Sequence, residues 1–264
     1  MIVPILFTKN NPSIMSRLKN KVALITGGNS GIGFATAKEF LEQGANVIIT
    51  GRSEAGLAQA KKELNNQVHT ILSNTSSLSD VRSLAKEVQK ITPHLDVVFV
   101  NAGIGKFAPI EAVTEEHFDE QFNTNVKGAF FTIQELLPLI KDGGSIILNS
   151  SINAHLGMAN SSVYSATKAA LLTFARSLSA ELLPRRIRVN AISPGPVVTP
   201  IFGKTGIPAD QMDGLKSTIQ SKVPIGRFGD ASEIARVATF FASDDSTFVL
   251  GTELIADGGI VSAF

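Results

Sequence analysis

Short runs of β-branched and apolar residues alternate along the chain with longer stretches in which apolar positions recur every three or four residues. The short runs predict strands at Val22 to Thr26, Val47 to Thr50, His69 to Ser73, Val97 to Asn101, Ser145 to Ser150, Arg188 to Ile192 and Glu253 to Ala256. The longer stretches predict helices, the first opening near Gly31 and stopping at Gly44. The others run over Glu54 to Leu64, Asp80 to Ile91, Glu115 to Val126, Lys127 to Ile140, Val163 to Leu183 and Ala231 to Ala242. Two end signals support these bounds: Gly44 tolerates the left-handed backbone needed just past a helix end, and Asp230 followed by Glu233 has the spacing of a capping box. Strands rich in apolar residues and separated by helices require a parallel sheet buried on both faces, so the predicted class is α/β with seven parallel strands.

No internal repeat breaks this order, and residues 15–264 read as one domain. Residues 1–14 are expected to be a disordered extension. Their apolar run from Met1 to Phe7 is broken by Pro4, is followed by Lys9, lacks the order of a secretory signal and is too short to span a bilayer. The Gly/Pro-containing segment from Pro194 to Gly229 has one weakly helical piece, about Ala209 to Ser221, and is expected to supply a substrate lid around 200–222.

Composition removes several classes of function. The 264 residues carry 24 Lys and Arg against 23 acids, so no net field favours nucleic acid or an anionic membrane, and neither is expected as a partner. The absence of cysteine excludes a disulfide framework, thiol catalysis and a Cys-ligated zinc, and fits a cytoplasmic location. His69, His94, His117 and His155 show no close ligand spacing, so no metal site is expected.

After the first strand comes Thr26-Gly27-Gly28-Asn29-Ser30-Gly31-Ile32-Gly33, a glycine-rich turn that feeds a helix. Missing side chains there let backbone amides approach a pyrophosphate. The spacing is GxxxGxG, which differs from the GxGxxG fingerprint. In a dinucleotide fold an acid at the end of the second strand would bind the ribose hydroxyls. This chain has Thr50-Gly51-Arg52-Ser53 instead, and Arg52 with Ser53 would suit a 2′-phosphate, favouring NADP(H) over NAD(H).

Tyr164, the single tyrosine, and Lys168 lie four residues apart on a predicted helix and can share one face. Making a phenolate accessible near neutrality means lowering its pKa by about three units, roughly 4 kcal/mol. A lysine ammonium and an oxidised nicotinamide would both act in that direction. Ser151, at the C-terminal end of a predicted strand, is placed where ligands bind in open α/β sheets and could polarise a carbonyl oxygen.

Taken in order, these motifs resemble the short-chain dehydrogenase/reductase family, in its single-domain subtype, from about Lys19 to Gly259. The resemblance includes Thr26 to Gly33, Asn101-Ala102-Gly103, Asn125-Val126-Lys127-Gly128, Ser151 with Tyr164 and Lys168, Pro194-Gly195 with Thr199, and Asp257-Gly258-Gly259. It implies a Rossmann-type doubly wound fold and hydride transfer between a nicotinamide and a carbonyl or alcohol. By the same resemblance Tyr164 would exchange the proton, Lys168 would lower its pKa and hold the nicotinamide ribose, Ser151 would orient the substrate oxygen, and Asn125 would support a proton-relaying water. Ile32, Asn101, Ala102 and Gly103 would line the cofactor path, together with Gly27, Asn29, Ser30, Gly31 and Gly33, while Val197 and Thr199 after Pro194 and Gly195 would position the carboxamide. Asn74-Thr75 departs from the family's usual Asp at the adenine, although the Asn74 amide oxygen can still accept from the adenine amino group.

The substrate pocket is expected to involve Asn153, Leu156 and Phe202, with His155, Gly157, Ser161 and the Ile201 to Met212 region around them; His155 itself is expected to face solvent. A 3-oxoacyl-[acyl-carrier-protein] reductase would favour a basic patch at the mouth, for which Arg185, Arg186 and Arg188 are candidates. The acid in Lys141-Asp142-Gly143-Gly144 weighs toward a free ketone or alcohol instead. A catalytically idle NADP-binding sensor is the reading of a different class, and the intact Asn125, Ser151, Tyr164 and Lys168 weigh against it. The resemblance also implies a homotetramer.

Overall fold

The computed structural model describes residues 16–199, 214 and 217–262. The expected extension over 1–14, most of the expected lid and Phe202 lie outside the described residues; at the lid's far end, 217–221 are helical.

Seven strands form one sheet: β1 (Val22–Ile25), β2 (Asn46–Gly51), β3 (Val68–Leu72), β4 (Leu95–Val100), β5 (Ile140–Asn149), β6 (Arg188–Pro194) and β7 (Glu253–Ala256). Every pairing is parallel, in the order β3-β2-β1-β4-β5-β6-β7. The helices are α1 (Gly31–Glu42), α2 (Glu54–Glu63), α3 (Leu78–Gln89), α4 (Glu115–Phe122), α5 (Gly128–Leu136), α6 (Ser162–Glu181) and α7 (Ala231–Ala242). Chain order reverses between β1 and β4, which opens a crevice at the C-terminal strand ends, where ligands bind in such sheets.

Two apolar layers explain why the strands are buried on both sides. One packs β-strand residues Leu24, Val98, Ile146 and Val189 against Leu84 of α3, Ile133 of α5 and Leu171 of α6. The other packs Ile25, Ile49, Phe99 and Ile192 against Phe40 of α1, Leu57 of α2 and Phe241 of α7. The expected Rossmann-type doubly wound architecture is therefore present.

The structure corrects two boundaries. The helix expected over Lys127 to Ile140 stops at Leu136 and passes through a short 3₁₀ turn containing Pro138, whose ring removes a helical N–H donor. Ile140 then opens β5 opposite Leu95, five residues before the expected start, and the register shifts before Ser145 joins Val97. Gly143, at φ +82°, supplies the left-handed backbone within that irregular stretch. The second correction lies at the expected break near Val126, where a π turn over Asn123–Lys127 joins α4 to α5. The capping box of α7 is formed as expected: Asp230 accepts from the Ser232 N–H at 2.8 Å, and Glu233 accepts from the Asp230 N–H at 2.8 Å.

Candidate active site

The glycine turn after β1 has the backbone its sequence requires. Gly27 and Gly31 have φ of +63° and +54°, and a Cβ on Gly33 would stand only 2.3 Å from the Gly27 carbonyl oxygen. Ser30 caps α1 in position only: its side chain makes no capping bond, and the first turn carries no acid. Open amides and an uncompensated helix dipole at that end fit an anion such as a pyrophosphate. The turn is tied to β4 through Thr26, whose hydroxyl oxygen accepts from the N–H groups of Asn101 and Ala102, both at 2.9 Å. The Asn101 amide then donates to the Thr26 carbonyl at 3.0 Å and accepts from Asn149 Nδ2 at 2.8 Å.

At the end of β2, Arg52 and Ser53 are exposed. Ser53 Oγ caps α2 by accepting from the Gly56 N–H at 3.2 Å, which leaves its own hydrogen free to donate. Asn29 reaches the same place, since Cβ atoms built on Gly51 and Gly56 would each meet its amide at 2.8 Å. Asn74 is engaged differently from the expectation, because its Oδ1 already accepts from the Ser76 N–H and hydroxyl at 3.2 and 3.0 Å. Thr75 is buried, and its carbonyl leaves no room for a Cβ on Gly128 at the start of α5. The glycine turn and the residues at the end of β2 fit a dinucleotide, whereas Asn74 Oδ1 is already engaged by Ser76.

Tyr164 and Lys168 lie one turn apart on α6, and Ser151 follows the exit end of β5. Burial pushes the Tyr164 phenol above the usual tyrosine range, while the adjacent Ser151 hydroxyl acts in the opposite direction. Lys168 is 5% exposed; its Nζ donates to the Asn149 carbonyl at 2.7 Å and stands 5.6 Å from the Tyr164 ring centroid. Burial lowers its pKa to about 8. In the polypeptide alone, desolvation is the largest influence on both groups. A hydrogen bond from Ser150 Oγ to the Lys168 carbonyl, at 2.8 Å, fixes α6 to the end of β5.

Asn125 lies in the π turn, 1% exposed. Its Oδ1 accepts from the Ile104 N–H at 2.8 Å, and its Nδ2 donates to the Ile104 carbonyl and Thr167 Oγ1 at 2.8 and 3.0 Å. Gly103 keeps space open between Asn125 and Lys168, since a Cβ there would come within 3.1 Å of Asn125 Oδ1 and 3.5 Å of Lys168 Nζ. Short π turns recur at functional sites for this reason: they re-aim a buried polar side chain inside a helix.

On the substrate side, the Asn153 N–H donates to Ser151 Oγ at 3.2 Å, and Asn153 Nδ2 is buried without a partner. Leu156 is half-buried. His155 is exposed, as expected, and its Nε2 also lies 2.7 Å from Glu253 Oε1 on β7. Beyond β6, Gly195 packs so closely on Asp257 that a Cβ would stand 2.6 Å from its Cα, and Val197 bridges Gly229. Pro194 ends β6, and Thr199 is half-buried. Arg185, Arg186 and Arg188 do not rim this crevice in their own chain, because they enter at the opposite end of the sheet, where Arg188 pairs with Ser145.

Sequence reasoning missed three residues of this region. Phe107 meets the Tyr164 ring edge-on, Gln121 accepts from the Lys106 N–H at 3.1 Å, and Glu253 holds His155. Only the position of Phe107 just after Asn101-Ala102-Gly103 offered a signal.

A glycine turn under an open helix end, with a phenol, a hydroxyl and an amine gathered beside it, defines the chemistry of an oxidoreductase. The chain belongs to the short-chain dehydrogenase/reductase family. A family model described as Enoyl-(Acyl carrier protein) reductase matches residues 27–261. Oxidoreductase asL5 of Sarocladium schorii is 40% identical over 250 residues, covering 94% of this chain and 98% of that protein. The 3-oxoacyl-[acyl-carrier-protein] reductase FabG of Thermotoga maritima is 36% identical, covering 93% and 99%. Among solved structures, levodione reductase superposes with a TM-score of 0.85 at 30% identity, covering 94% of this chain and all (100%) of the other.

Proposed function

We propose that this oxidoreductase uses NADP(H) to reduce a ketone or aldehyde to the alcohol, reversibly, in the cytoplasm. The observation that carries this reading is the meeting of Tyr164, Ser151 and Lys168 beside the glycine turn. A bound reduced nicotinamide supplies the hydride to the carbonyl carbon. Ser151 Oγ and the Tyr164 hydroxyl hold the carbonyl oxygen, and Tyr164 passes its proton to that oxygen as the alcohol forms. Burial raises the phenol's pKa, and the same group can donate the proton in reduction and accept it in the reverse direction. Lys168, fixed to Asn149, has two further hydrogens to offer a ribose hydroxyl. Both ends of the Asn125 amide are engaged with Ile104, which fixes this residue beside Lys168.

The preference for NADP(H) rests on Arg52, Ser53 and Asn29 at the end of β2, with no carboxylate in Thr50-Gly51-Arg52-Ser53. NAD(H) is the alternative. Reduction of acyl groups on a carrier protein is the second reading, supported by the FabG relative; the engagement of Arg185 with Asp142 away from the crevice weighs against it. We also infer a homotetramer. Phe122, Val126, Phe130, Phe131 and Phe174 line an open apolar hollow of about 370 Å³ on the outer side of α4 to α6, which a second copy would cover; sedimentation reads the assembly directly.

The test is loss of NADPH and NADH absorbance across a panel of ketones and aldehydes, with Tyr164→Phe beside the wild type. The variant should fold and bind cofactor but lose about 10²–10⁴-fold in kcat. Near-native turnover by Tyr164→Phe removes the proton-transfer assignment, cofactor binding without any turnover favours the idle sensor, and clearly better kinetics with NADH overturns the cofactor preference.

A further inference from the structure

Phe107 stands edge-on to the Tyr164 ring, with centroids 5.6 Å apart and planes at 67°. That is a favourable arrangement for two aromatic rings. Gly105 lies against both rings, where a Cβ would make ordinary contacts at 3.4 Å from Tyr164 Cε2 and 3.7 Å from Phe107 Cζ. The loop carrying Phe107 is pinned at three points that do not involve its ring. Ile104 bonds to Asn125 through both backbone groups, the Lys106 N–H donates to Gln121, and the Ala108 N–H donates to the Asn160 carbonyl at 2.9 Å.

Both rings are only half-buried, so each keeps a face outside the protein's own packing. The loops meeting at the Ala108–Asn160 bond also expose apolar side chains, Ile110 at 81% and Met158 at 46%. A rigidly held aromatic flank beside the reacting hydroxyl, within an apolar rim, suits a substrate that brings its own flat apolar surface.

We propose that Phe107 is a specificity-determining residue, a fixed aromatic flank of Tyr164 that selects carbonyl compounds whose non-reacting group is an apolar ring. This rests on the reading of Tyr164 as proton donor. Truncating Phe107 leaves the loop's three anchors in place, so its loss is a change of surface rather than of fold.

The test compares Phe107→Ala and Phe107→Leu with wild type on acetophenone and 2-butanone. Phe107→Ala should lower kcat/KM for acetophenone about tenfold, mainly through KM, and change 2-butanone less than about twofold, with Phe107→Leu intermediate; tenfold corresponds to about 1.4 kcal/mol. A second readout needs neither substrate nor cofactor. The chain has one tyrosine and no tryptophan, so the phenolate absorbance band reports Tyr164 alone. Opening the flank to water should move its ionisation to lower pH in Phe107→Ala, with circular dichroism confirming the fold. Equal losses on both ketones, no loss on either, or an unmoved titration overturns the proposal while leaving the reductase reading intact. If the wild type reduced nothing in the wider panel, that reading and the selective role would fall together.

Discussion

The two ends of β5 and β6 are built on opposite rules. At their opening ends two cations, Arg185 and Arg188, are held by several acceptors each. Arg185 donates to Asp142 at 2.9 Å and to the Leu137 carbonyl at 3.0 Å. Arg188, 6% exposed, donates to Ser246 Oγ at 2.7 Å and to the Phe241 carbonyl at 2.9 Å. At the closing ends stand Asn149 Oδ1, Asn153 Nδ2 and Ser193 Oγ, the buried side-chain polar atoms without a partner among the described residues. Each such atom costs about 1–3 kcal/mol. The fold therefore concentrates its satisfied polar bonds where they hold helices to the sheet, and accepts unmet ones beside the crevice. A site that gives up local consistency for chemistry is expected to look like this.

Three changes test the contrast, beginning with the largest. Arg188→Met should lower unfolding free energy by about 3 kcal/mol, because the charged donor to three acceptors disappears, while the folded protein keeps its kcat. Urea denaturation measures it, and an unchanged midpoint would mean the opening end contributes no anchoring. Next comes Lys168, whose folded pKa of about 8 lies below the ordinary lysine value of 10.5. Between these values the unfolded chain binds more protons than the folded one, so this group's contribution makes stability rise with pH. Wild type should therefore gain about 2 kcal/mol on Lys168→Met between about pH 8 and pH 10, a window below the raised Tyr164 ionisation. A wild-type-minus-variant difference that stayed flat across that window would show the amine to be well solvated. The smallest effect belongs to Ser193→Ala, which deletes an unpartnered hydroxyl and should raise stability by about 1 kcal/mol, the low end of the cost of such an atom. A clear drop would reveal a hidden partner and erase the difference between the two ends.

The sheet was legible in the sequence because each strand is short and apolar enough to be buried whichever way it faces. The expected bounds of β7 and α7 match the structure, and the chemistry-bearing Ser151, Tyr164 and Lys168 occupy neighbouring places. What local pattern could not show depended on distant partners. Ile140 reads as the tail of an apolar helix until its pairing with Leu95 is known. The lock between His155 and Glu253 joins residues 98 positions apart, and Asn74 is diverted by Ser76 in a turn that composition alone does not reveal. Spacing announces the amine near Tyr164, whereas the desolvation that raises the phenol and lowers Lys168 depends on everything packed around both groups.

The π turn between α4 and α5 sets the rotational phase of everything before it. A regular helix turns about 100° per residue, so deleting one residue within Asn123–Lys127 would let ordinary helical bonding close the gap and swing α4 by roughly that angle. Gln121 would leave the Lys106 amide, and the strap bearing Phe107 would lose a tether. Point changes on that helix should be absorbed one at a time, whereas a single-codon deletion would dismantle the wall as a unit.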